Sequence, residues 1–144
     1  MRAPRPTAVQ AAIALVERRG RYLICRRRRT DVLGGFWEFP GGKRRRGEPW
    51  VACLRRELRE ELGVAVNGVR PVGLIRHRYP DRTVRLRVFR CAIARGRPRA
   101  LAAETLRWVP AARLPAYRFP PANRALIARL ARATRSRRIS RGFR

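Results

Sequence analysis

Lysine is almost missing from this chain. Of its 37 basic side chains only Lys43 is lysine, and the rest are arginine. Acid is scarce as well, at nine residues, which sets the formal net charge at +28. A chain selected only to grip phosphates would use both basic residue types. Arginine alone points to compositional bias, so the charge by itself does not make this a nucleic-acid binder, although it favours anionic ligands such as nucleotides. Cysteine is limited to Cys25, Cys53 and Cys91, odd in number and far apart. That argues against a disulfide framework or a zinc site and fits a reducing, cytoplasmic setting. No apolar run nears the roughly 20 residues that a bilayer crossing needs. Ala11 to Val16 is followed by Glu17-Arg18-Arg19 and no small-residue cleavage pattern, so no signal peptide is expected either.

What is present is enough apolar mass for one core: 45% hydrophobic residues in 144. Val9 to Val16 and Tyr22 to Cys25 read as strands joined at Arg19-Gly20-Arg21. A short strand at Phe36 to Phe39 stops at Pro40-Gly41-Gly42. From Pro49 to Leu62 the spacing of Val51, Leu54, Leu58 and Leu62 is helical, and Gly63 supplies the stop. Val64 to Val72, Gly73 to Tyr79, Thr83 to Ala94 and Leu106 to Val109 read as further strands. Pro120-Pro121 opens a second helix, ending near Ala133. The order predicts an α+β fold, a mixed sheet sandwiched between helices. It forms one domain over 1–133, with a flexible Arg- and Ser-rich tail over 134–144.

Scarce acid makes its placement informative. Four of the nine carboxylates are Glu48, Glu57, Glu60 and Glu61. On a helix Glu57, Glu60 and Glu61 stand at i, i+3 and i+4 and share one face, where like charges repel. Two arrangements offset that repulsion. One is a solvated face of Glu/Arg pairs with Arg55, Arg56 and Arg59. The other is a divalent cation such as Mg²⁺, which takes hard oxygen ligands and completes its shell with water and substrate phosphates.

The wider pattern runs Gly42, five residues, Glu48, seven residues, then Arg56-Glu57-Leu58-Arg59-Glu60-Glu61-Leu62-Gly63-Val64. It resembles the Nudix box at every defining position. The resemblance implies an α/β/α sandwich and Mg²⁺-dependent hydrolysis (Mn²⁺ able to substitute) of a nucleoside diphosphate linked to another moiety. It implies Glu57, Glu60 and Glu61 as metal-binding carboxylates, the Gly41 carbonyl as a further ligand, and Arg56 as the residue that orients the catalytic glutamate. Glu57 is then the candidate general base. Glu104 is carried as a further metal-associated glutamate, although its register before Trp108 departs from the bacterial pattern.

Similarity to the MutT subfamily extends beyond the box, through Ile24-Cys25-Arg26-Arg27, Phe36-Trp37-Glu38-Phe39-Pro40-Gly41-Gly42-Lys43, Tyr79-Pro80-Asp81-Arg82 and Phe119-Pro120-Pro121-Ala122-Asn123. It implies an enzyme that hydrolyses 8-oxo-dGTP to the monophosphate and pyrophosphate, with Arg27, Phe39, Arg82 and Asn123 contacting substrate; the sequence does not set the oligomeric state, and a monomer is the favoured expectation. Each of these has a plainer reading: surface charge for Arg27 and Arg82, core packing for Phe39, and a helix N-cap for Asn123. An Asn amide offers one acceptor and one donor, which suits an oxidised guanine whose N7 carries a proton. Two other functions stay open: a Nudix pyrophosphohydrolase for a pyrimidine or unmodified nucleotide, and a non-catalytic basic nucleic-acid binder.

Overall fold

The computed structural model describes residues 7–142. Seven strands and two helices follow in the order β1 (Thr7–Arg18), β2 (Arg21–Arg26), β3 (Trp37–Glu38), β4 (Gly41–Lys43), α1 (Trp50–Leu62), β5 (Ala65–Arg78), β6 (Arg82–Arg95), β7 (Thr105–Pro110) and α2 (Arg124–Gly142). Two 3-10 turns, Ala111–Ala116 and Pro121–Asn123, precede α2. β1 lies parallel to β6 and antiparallel to β2 and β4, so the sheet is mixed as expected.

β1 divides the core because successive side chains of a strand point to opposite faces. Ile13 and Leu15 pack with Leu126, Ile127 and Leu130 of α2. Ala12, Ala14 and Val16 pack with Leu54, Leu58 and Leu62 of α1. One helix therefore covers each face. Burying each of the three α1 leucines contributes roughly 1.5–3 kcal/mol. The helix ends at Gly63, whose left-handed φ of 70° lets its N–H donate to the Arg59 carbonyl.

Three elements differ from the sequence expectation. The two strands expected between Val64 and Tyr79 are one, β5, and its breaks are register shifts against β6 around Asn67/Arg70 and Pro71/Gly73. Gly68, Pro71 and Gly73 interrupt the pairing without ending the strand, as bulges do. Gly41–Lys43, expected to be turn, pairs with Ala11–Ile13 as β4. α2 is recorded to Gly142, beyond the end expected near Ala133. Residues 143–144 of the expected tail lie outside the described residues.

Candidate active site

The box residues fold into a strand, a loop and a helix that face each other. Arg56 is the hub. Its Nε and Nη2 donate to the two oxygens of Glu48 at 2.8 and 2.9 Å, a bidentate clamp from the helix to the loop before it. Nη2 also donates to the Lys43 carbonyl at 3.0 Å, and Nη1 to Glu57 Oε1 at 2.7 Å and to Glu60 Oε2 at 3.3 Å. The hydrogen bonds from Arg56 pull the Glu48 carboxyl down to about 2. Arg56 thus fixes the loop and holds one oxygen of Glu57 in place.

β4 presses against this helix. A Cβ on Gly41 (φ 149°) would run into the Ala12 carbonyl, so only glycine fits there, while one on Gly42 would displace the Glu57 carboxylate. Across the same contact the Gly41 N–H donates to Glu61 Oε2 at 3.2 Å. The expectation at Gly41 was a carbonyl ligand; the contact made is through the amide. Burial pushes the Glu61 carboxyl up to about 8, with the charges of Glu38 and Glu57 adding to it.

The three box glutamates are therefore neighbours but not equivalents. Glu57 and Glu61 are half-buried beside the glycines. Glu60 is exposed, and the contacts recorded for it are Arg56 and, at 3.8 Å, exposed Arg45. Among the described residues no three Cys, His, Asp or Glu side chains converge tightly enough to define an ion site. The donor set nevertheless fits a hard divalent cation. Its oxygens are carboxylate, and Glu61 is a buried acid crowded by other acids, which a cation would relieve.

A cleft of about 380 Å³ opens from this contact. Glu61, Gly41 and Gly42 line it together with Arg27, Glu38, Phe39, Tyr79, Arg82, Ala122 and Asn123. Pocket size and mixed lining suit a nucleotide-sized ligand. Asn123 is buried, and its Oδ1 has no hydrogen-bond partner. A capping side chain would be bonded to a helix amide, so capping does not explain this residue. Phe39 is both things at once: it lines the cleft and packs on Phe119, ring centroids 5.2 Å apart. Arg82 lies 5.4 Å from the Tyr79 ring, and its Nε is buried without a partner. Arg27 is engaged, with Nη1 on Glu38 Oε2 at 2.9 Å and Nε on the Val32 carbonyl at 2.7 Å.

Glu104 does not join the others. It sits exposed just before β7, does not line the cleft, and its recorded bond is from its backbone N–H to the Arg26 carbonyl. Two cleft residues were missed in the sequence. Glu38 is an acid between Trp37 and Phe39, and that alternation was the available signal for a side chain facing away from the core. Tyr79 carried no such signal, since its hydroxyl reaches the Ala122 amide, at 3.4 Å, only through the tertiary fold.

Residues 11–129 match the family description of the NUDIX domain. The chain belongs to the Nudix family. It is 41% identical over 115 residues to a Mycobacterium tuberculosis protein provisionally named 8-oxo-dGTP diphosphatase 2, covering 76% of this chain and 79% of that one. It is 30% identical to the Escherichia coli 8-oxo-dGTP diphosphatase, covering 86% and 97%. The crystal structure of a MutT NUDIX hydrolase from Burkholderia pseudomallei superposes with a TM-score of 0.76 at 26% identity, over 85% of this chain and 97% of the other. The protein is thus a MutT-like Nudix hydrolase in sequence and fold, and Nudix hydrolases generally act with a divalent metal. Among the described residues no helix is long and apolar enough to cross a membrane.

Proposed function

We propose that this Nudix hydrolase cleaves 8-oxo-dGTP to the monophosphate and pyrophosphate, with Mg²⁺ as its metal, in the cytoplasm, as a monomer. The observation that carries the substrate assignment is the orphaned Oδ1 of Asn123 in the same cleft as Glu61. A buried acceptor left without a donor costs about 1–3 kcal/mol. The protonated N7 of 8-oxoguanine supplies that donor. The N7 of ordinary guanine is an acceptor and leaves the cost in place, with a lone-pair clash added.

With the base on Asn123 and against Phe39, the polyphosphate extends toward Gly41, Gly42 and the carboxylates of α1. Glu57, Glu60 and Glu61 are the candidate metal ligands. A divalent ion held there would neutralise phosphate charge and lower the pKa of a bound water. Arg56 orients Glu57, whose carboxylate takes the proton of the attacking water. Arg82, which lines the cleft, is placed to donate through its guanidinium to the nucleotide. Arg27 positions Glu38 and does so before any substrate arrives. Glu104 stays a further candidate ligand, exposed and absent from the cleft lining as Glu60 also is.

The test is pyrophosphate release with Mg²⁺ from a panel of normal and oxidised nucleoside triphosphates, CTP included. We expect 8-oxo-dGTP to lead dGTP in kcat/KM by about tenfold or more, the ratio that 1.4 kcal/mol supplies. CTP turning over faster than 8-oxo-dGTP would move the protein to the pyrimidine class.

A further inference from the structure

The cleft described above is lined by the first half of β1, from Val9 to Ile13. The other end, Arg18, lies five residues on, roughly 16 Å away at strand rise. There a second concavity of about 670 Å³ is lined by Arg18, Arg19, Arg21 and Trp108. It adjoins a third, about 490 Å³, which shares Arg21 and Trp108 and adds Arg113 and Tyr117. Together they form a groove that crosses Trp108 at the edge strand β7.

Net charge alone says nothing about a partner in this arginine-rich chain. The groove says more, because its shape and an aromatic ring accompany the charge. It is concave. No acid lines it, and among the described residues none of Arg18, Arg19, Arg21 and Arg113 has an acidic partner. Glu17, the neighbouring acid in sequence, pairs instead with Arg90 at 3.8 Å. Lastly, it carries an aromatic ring, Trp108, which packs against the core and is covered by an arginine plane open to a stacking base. The Arg18 guanidinium lies 4.2 Å from the centroid of the half-buried Trp108 ring, and Tyr117 borders the far side. Like charges gathered round a stacking surface, without a counter-ion from the chain, suit a ligand that alternates phosphates with planar bases.

We propose that this groove binds single-stranded nucleic acid, with the arginines on phosphates and a base stacked on the Arg18 guanidinium that covers Trp108, at a site separate from the catalytic cleft. The proposal does not depend on the identity of the hydrolysed nucleotide.

The experiment is fluorescence anisotropy of a fluorescein-labelled oligo(dT) of about twelve nucleotides, within the 4–16 that such grooves track. Two triple variants remove the same charge: Arg18→Gln/Arg21→Gln/Arg113→Gln in the groove, and Arg70→Gln/Arg95→Gln/Arg97→Gln at exposed positions elsewhere. We expect the groove variant to bind about 30-fold more weakly. Its log–log salt slope should be shallower by about 2, at roughly 0.7 for each phosphate no longer neutralised. The control variant should stay within about threefold of the parent. Both should hydrolyse nucleotide normally. Inorganic polyphosphate should compete at least about tenfold less well per phosphate, because it has no base to stack. Equal weakening in the two triples, no binding by the parent protein, or equal competition by polyphosphate would each overturn the proposal.

Discussion

At the scale of single residues, Asn123 separates two physical explanations that its sequence position could not. A cap at the start of α2 would lower stability by about 0.5–2 kcal/mol on truncation. An orphaned acceptor held for a ligand would not, since its removal relieves a desolvation cost. Asn123→Ala should therefore melt at or above the parent temperature while its preference for 8-oxo-dGTP over dGTP collapses. Melting curves with paired kcat/KM values check this, and a lower Tm with preference intact would restore the capping role. Glu61 gives a pH prediction. Its carboxyl, normally near 4.5, is pushed up to about 8 in the fold. Between those values the folded chain keeps a proton that the unfolded chain has lost. Stability without metal therefore falls as pH rises through that window and levels off above it. A divalent cation competes with the same proton, so the gain in Tm on adding Mg²⁺ should be larger near pH 8 than near pH 6. An equal gain at both would remove Glu61 from the metal site.

At the scale of elements, the two glycines of β4 face different neighbours, Gly41 the β1 backbone and Gly42 the Glu57 side chain of α1. Gly41→Ala and Gly42→Ala should fail differently. At Gly41 the new methyl meets the Ala12 backbone across a sheet pairing, at a φ that side chains avoid, so thermal stability drops. At Gly42 it meets the flexible Glu57 carboxylate, so Tm changes little and turnover falls. Thermal melts read beside turnover check the pair, and a shared pattern would contradict it. Much of this level was legible in the sequence. α1 could be bounded from its leucine spacing and Gly63, because a periodic apolar face and a left-handed stop are local signals. β4 was not legible, because three residues containing two glycines form a strand only when β1 is already there to pair with. β5 was cut in two because Gly68, Pro71 and Gly73 are turn residues by local chemistry, and only the ladder to β6 turns them into bulges.

At the scale of the whole molecule, the sheet brings Glu61 of α1 and Asn123, more than 60 positions apart in the chain, into the lining of one cleft. The box positions were readable because their spacing is fixed within 23 residues. The roles of Glu38, Tyr79 and the groove at Trp108 were not, since each depends on residues that only the folded sheet makes neighbours. The central claim is that the face of α1 carries a divalent cation for catalysis. Glu60 tests it most directly because it has little structural work. It is exposed, and its contacts to Arg56 and Arg45 are at 3.3 and 3.8 Å. Exposed pairs of that kind are worth about 0–1 kcal/mol, so the fold does not need them. The measurement is Mg²⁺-dependent turnover of 8-oxo-dGTP by Glu60→Gln beside the parent, with Tm recorded for both. The expected result is an unchanged Tm and a fall in turnover of about 10³-fold, equivalent to about 4 kcal/mol of transition-state stabilisation. Turnover within about tenfold of the parent at saturating Mg²⁺ would contradict it.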